Sequence, residues 1–238
     1  MRFRTLLLAL AFGLFALAAQ AEGELVVIGI TGDLPGLKVG QTIAPGSPIA
    51  LPAATSLRLL SAAGKTITLT GPYSGPLAAP AESGSAGTDL ARLAKHLTER
   101  PLATSALGTV RSAAIPHGML REPADPWMIL IHESGPQCAR PPKATLWRRD
   151  ARADETMFLR AESGATIKDR WPAGEHGRDL PGDLLADGQV VQAALGSRTS
   201  LVTLHLLPAD QTQPVAIAAW MAEKGCRAQL ERFLGALP

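Results

Sequence analysis

The feature that most constrains this chain is the alternation in residues 56–70, SLRLLSAAGKTITLT. Leu57 and Leu59 alternate with Ser56 and Arg58, and Ile67 and Leu69 with Thr66, Thr68 and Thr70. A period of two places one side of a strand on a core and the other in water. Ala62, Ala63 and Gly64 make the short connection, with Gly64 where a tight turn needs positive φ. Residues 46–75 therefore read as a β-meander around a hairpin with a defined inner face.

The strands around it are short. Residues 25–30, LVVIGI, form a continuous apolar run, as in a strand covered on both faces. Gly32, Pro35, Gly36 and Gly40 then break the chain into turns. With residues 48–51 and the hairpin, the first unit, 22–75, holds about five strands, which a small sandwich or partly open barrel would bury.

Ahead of it, residues 1–21 read as a secretory leader: Arg2 and Arg4, an apolar run over residues 6–18, then Ala19-Gln20-Ala21, the small-x-small signature of signal peptidase. The run is shorter than the roughly 20 residues a membrane span needs, and no later segment is apolar enough, so no span is expected after cleavage. The expected location is periplasmic or secreted. Of the 23 basic residues two lie in this leader, which leaves 21 against 21 acidic. A neutral mature chain gives no reason to expect nucleic acid as a partner.

Residues 76–87, PLAAPAESGSAG, read as a linker. A helix follows over 88–100, with Thr88 as its expected cap and Leu90, Leu93, Ala94 and Leu97 on one stripe, expected to lean on a sheet. Residues 101–238 resume as β structure, with strand-length runs at 127–131, 144–147, 157–159, 165–167, 190–195 and 201–207. That count suits a second sandwich of immunoglobulin-like size. The chain closes in helix, with Gly225 as cap or kink between two apolar stripes. The expected fold class is thus mainly β: a small N-terminal β-sandwich or barrel, a linker helix, and a second β-sandwich carrying a C-terminal helix.

Cys138 and Cys226 are the only cysteines, and both lie in the exported part. In an oxidising compartment the pair reads as a structural disulfide that ties the terminal helix to the second unit; a redox or metal pair lacks C-x-x-C spacing and nearby histidines.

Residues 37–75 resemble the exported β domain of FecR-type proteins. Gly40-Gln41-Thr42-Ile43 matches that family's G-x-x-I turn, and Gly64-Lys65-Thr66-Ile67-Thr68-Leu69 its G-K/S-x-I-x-L hairpin. The resemblance implies a fold rather than an activity. No cytoplasmic segment or transmembrane helix is expected before the β domain, so relay to a sigma factor does not carry over. The order of leader, LTGPYSG hairpin, linker and final W-M-A-x-K-G-C-x-x-Q also looks like a group of secreted bacterial proteins that lends no activity and no site residues.

Chemistry-bearing residues are sparse. Ser134 follows His132 by two positions, but His132-Glu133-Ser134-Gly135-Pro136 lacks the glycine that a G-x-S-x-G elbow needs before the nucleophile. Loop polar groups explain it as well. Histidines 96, 117, 132, 176 and 205 show no metal-binding spacing, so no metal, cofactor or catalytic residue is assigned. Arg140, Lys143, Arg148, Arg149 and Arg152 form the one basic cluster, interrupted by Asp150, Asp154 and Glu155. It reads as a solvated surface by default and as an anion or glycan patch in its sharper sense. Trp171, in a turn-like Arg-Trp-Pro-Ala-Gly, is expected to be exposed, whereas Trp127, Trp147 and Trp220 belong in cores. Trp171, Arg148 and Arg149 are the contact candidates. Two function classes follow: a non-enzymatic exported binding protein of the bacterial envelope, with a protein or envelope glycan as partner, or an exported hydrolase built around His132 and Ser134.

Overall fold

Four successive residues of Leu25–Thr31 (β1), Leu25 to Ile28, have no exposed surface, which requires cover on both faces of the sheet they lie in. A computed structural model describes residues 23–78, 86–102 and 122–238 and shows where that cover comes from. The leader expectation, most of the linker and residues 103–121 fall outside the described residues.

β1 pairs antiparallel with Thr42–Ile43 (β2) on one side and Ser56–Ser61 (β4) on the other, and β4 pairs with Thr66–Thr70 (β5). This is the expected hairpin, with Leu57 opposite Leu69 and Leu59 opposite Ile67. Pro48–Leu51 (β3) forms a separate ribbon with Tyr73–Pro76 (β6), at the end of the expected first unit. The β5–β6 corner accepts only glycine at 71, because a Cβ there would stand 1.8 Å from the Pro52 carbonyl oxygen.

Gly87–Glu99 (α1) buries Leu90, Leu93, Ala94 and Leu97 as its stripe predicts, but its main neighbour is another helix, Pro214–Lys224 (α2), rather than a sheet. Thr88 is not its cap; Ala86 occupies that position without a side-chain bond. Gly225, left-handed at φ +77°, ends α2, and Arg227–Ala236 (α3) follows. The expectation that the terminal helix completes the second β unit is corrected. Val215, Ile217, Trp220, Met221, Leu230, Phe233 and Leu234 share one core with β1, β4 and α1. The physical reason is α2 itself: eight successive residues, 215 to 222, are buried, so it needs apolar cover all round, which α1 and the first sheet supply.

The second unit is a β-sandwich. Its larger sheet runs Thr166–Trp171 (β11), Glu155–Ala161 (β10), Val190–Leu195 (β13), Arg198–Leu206 (β14) and Gly135–Ala139 (β8). Its smaller sheet runs Gly177–Asp179 (β12), Thr145–Trp147 (β9) and Ile129–Leu130 (β7). Ile129, Leu146, Leu159, Val191, Val202 and Leu204 fill the space between them. The fold class is therefore mainly β, as expected, with α-helices at α1 and the C-terminal pair and one 3-10 turn at Gly182–Leu184 among the described elements. β8 and β12 were not foreseen: Gly135 and Pro136 make β8 read as a loop, and proline is tolerated there because the strand lies at the sheet's edge.

Cys138, in β8, and Cys226, between α2 and α3, stand at disulfide distance with Cα atoms 5.8 Å apart. The bond joins the two units, because Cys138 enters the larger sheet of the second while its sulfur packs with the core of the first.

Candidate binding cleft

Three loops meet at one end of the sandwich, and each is held by identifiable bonds. In the β7–β8 turn the Ile131 carbonyl accepts the Ser200 hydroxyl, and Ser134 Oγ accepts the Leu201 N–H at 3.1 Å. The β13–β14 connection is the two-residue turn Gly196-Ser197 between paired Leu195 and Arg198. Gly196 adopts φ +58°, which favours glycine, and the Glu155 carboxylate lies close enough that a Cβ there would stand 2.6 Å from Oε1 and push it aside.

The β9–β10 loop is organised from inside by Arg148, which is 1% exposed. Its Nε donates to the Glu175 carbonyl at 2.9 Å and Nη1 to the Ala153 carbonyl at 3.1 Å and Glu155 Oε2 at 3.2 Å. Nη2 donates to the Pro172 carbonyl, and the guanidinium lies 5.2 Å from the Trp171 ring centroid. A buried cation with this many partners positions loops; it is not free to meet a ligand.

The three loops enclose a cleft of about 170 Å³ lined by His132, Arg148, Arg149, Asp150, Glu155, Leu195, Ser197 and Arg198. Its carboxylates are already engaged. Asp150 binds Arg152 through both oxygens, at 2.9 and 2.5 Å, and those hydrogen bonds hold its carboxyl well below the usual range. Glu155 serves Arg148. Arg149 and Arg198 are exposed, and neither side chain has an ion pair or hydrogen bond among the described residues. The His132 ring leans on Trp147, centroids 6.1 Å apart, and Trp147 stacks on His176 from its other neighbour at 6.2 Å. Burial lowers the His132 pKa, and repulsion from Arg149 and Arg198 lowers it further. Its Nε2 is buried with no hydrogen-bond partner.

Of the contact candidates, Arg149 lies in this cleft. Arg148 lies beneath it. Trp171 has no exposed surface, contrary to expectation: β11 runs to Trp171, four residues beyond the expected run at 165–167, and Trp171, opposite Glu155, points inward against Arg148. The half-buried tryptophan is instead Trp127, which carries Arg140 over its ring at 4.3 Å. The basic cluster is thereby dispersed: Arg140 on Trp127, Lys143 exposed away from the cleft lining, Arg148 inside, Arg152 on Asp150, and Arg149 in the cleft. His132 and Ser134 do not converge. Ser134 lines a separate groove of about 210 Å³ with Glu133, Gln137, Arg227 and Gln229. Arg198 is the cleft residue that the sequence does not announce; its only signal is its place at a hairpin tip. Among the described residues no three histidine, cysteine or carboxylate side chains gather as a metal site.

No protein-family model matches this chain, and no curated protein matches it.

Proposed function

We propose that this protein is an exported, non-enzymatic binding module of the bacterial envelope that meets its ligand with the loop end of the second sandwich. The observation that carries this reading is the cleft itself, where three loops fixed from below leave Arg149 and Arg198 without partners. Loops set on a rigid β scaffold are a common place for recognition. The leader and the cysteine pair support export, since a disulfide persists where thiols oxidise. The hydrolase alternative is disfavoured because His132 and Ser134 line different depressions, and Ser134 Oγ accepts a backbone N–H rather than facing a base.

The test is capture. Immobilised protein is exposed to envelope protein and glycan fractions beside a Ser197→Trp variant, whose exposed hairpin tip is blocked by bulk. Retention by the wild type and loss in the variant is the expected result. Equal retention by both, or turnover of a generic ester that Ser134→Ala abolishes, would overturn the reading.

A further inference from the structure

We infer that the cleft between Arg149 and Arg198 is an oxyanion pocket that takes one acidic group, a carboxylate, sulfate or phosphate, projecting from a larger ligand. This deepens the reading of the loop end as a binding surface and rests on it.

Size limits the occupant first. At about 170 Å³ the cleft is well below the roughly 300–1,000 Å³ of pockets that enclose a whole small molecule, so it suits a single group rather than a sugar ring or side chain in full. Charge then selects it. Asp150 and Glu155 are neutralised by Arg152 and Arg148, which leaves the guanidiniums of Arg149 and Arg198 as the uncompensated charges of the lining. They arrive from different loops, the β9–β10 connection and the β13–β14 hairpin, yet both bear on the same ring, His132. Two like charges brought together by rigid supports repel each other, and an anion between them relieves that repulsion while accepting forked N–H donors. The supports are rigid on both sides: Arg148 fastens one loop through four acceptors, and the tip of the other packs against Glu155 at Gly196. His132 forms one wall of the cleft, and a bound anion would oppose the repulsion from Arg149 and Arg198 that, after burial, lowers its pKa.

The probes are inorganic phosphate, sulfate and glucuronate, each titrated at low ionic strength into the purified, disulfide-bonded protein and followed by NMR. The expected result is saturable shifts confined to the amides of residues 148–150 and 196–198 and to the His132 ring. Arg149→Gln and Arg198→Gln should each weaken binding about tenfold, with the thermal midpoint unchanged. The tightest probe identifies the group: glucuronate for a carboxylate, sulfate or phosphate for a tetrahedral anion. Shifts that grow linearly with salt across the arginines generally, or binding that survives in the Arg149→Gln/Arg198→Gln protein, would overturn the pocket. The loop-end reading fails separately, through Ser197→Trp: capture lost in that variant but kept in the double arginine variant overturns the oxyanion pocket alone.

Discussion

Gln229 presents its side-chain amide to the backbone of Cys138 as a neighbouring strand would: Oε1 accepts the Cys138 N–H at 2.6 Å, and Nε2 donates to the Cys138 carbonyl at 2.6 Å. The glutamine is 2% exposed and lies one helical turn beyond Cys226, whose sulfur bonds the same residue. Cys138 is thus held twice, covalently by Cys226 at the start of α3 and by Gln229 of α3 through the outer edge of β8. Gln137 repeats the device one position earlier, accepting the Leu130 N–H at 2.6 Å and donating to the Leu130 carbonyl at 2.9 Å. Two buried glutamines thereby connect α3, the larger sheet and the smaller sheet without an added strand.

Gln229→Leu keeps bulk but leaves a buried N–H and a buried carbonyl without partners. At about 1–3 kcal/mol for each orphaned group, it should destabilise the protein by about 2–6 kcal/mol. Urea unfolding measures this, and a change below about 0.5 kcal/mol would show the pairing to be incidental.

Replacing both Cys138 and Cys226 by serine opens a loop whose ends are 88 residues apart. The chain-entropy relation puts the loss at up to about 4.5 kcal/mol. Because α2 and α3 share their core with the first sheet while β8 belongs to the second, the tie being cut is the one between units. Amide exchange should therefore rise first in α3 and β8, ahead of β10 and β13. Uniform loosening of both units would contradict this placement.

Arg148→Met removes a cation that four acceptors surround, leaving Glu155 and three carbonyls unanswered in a site 1% exposed at the arginine. A loss of about 3–5 kcal/mol is expected. Arg148→Lys should recover little, since an ammonium cannot reach acceptors disposed around a planar fork. Near-complete rescue by lysine would mean that charge alone matters there.

Acid should weaken the fold in a defined window. His132 and His205 both have pKa values below the ordinary 6.5, chiefly because burial disfavours the imidazolium; Arg149 and Arg198 add repulsion at the first and Lys224 at the second, where Asp187 partly opposes it. Between 6.5 and those lowered values the unfolded chain binds more protons, so stability is complete above 6.5 and falls as pH drops through the window. Thermal midpoints from pH 8 to 5 should decline from about 6.5 downward, less steeply in His132→Gln. A slope identical in the two proteins would remove His132 from the account.

The parts of this molecule written in local pattern were legible in its sequence. Thr66, Ile67, Thr68, Leu69 and Thr70 declare a one-sided strand, and Leu90, Leu93, Ala94 and Leu97 a helix stripe, because periodicity is a local property. Partner choice is not local. Nothing in the sequence of α2 says that its apolar surface belongs beside α1 rather than on the sandwich from which it emerges. Trp171 and Arg148 are buried for a related reason: Pro172 marks a turn, but Trp171 packs against Arg148, whose acceptors Glu155, Ala153 and Glu175 arrive from other parts of the chain. Arg198 joins Arg149 only after the hairpin folds back, so the cleft exists in the tertiary structure and in no single stretch of chain.

Hydrogen exchange on the protein with and without its envelope fraction tests the central claim most directly, because it reports where contact is made without naming the partner. The account predicts ligand-dependent protection in residues 131–132, 148–155 and 195–198, with the Ser134 groove beside Gln229 no more protected than the distant β3–β6 ribbon. Protection centred on residues 225–229 and Ser134, with the Arg149 and Arg198 loops unchanged, would contradict it.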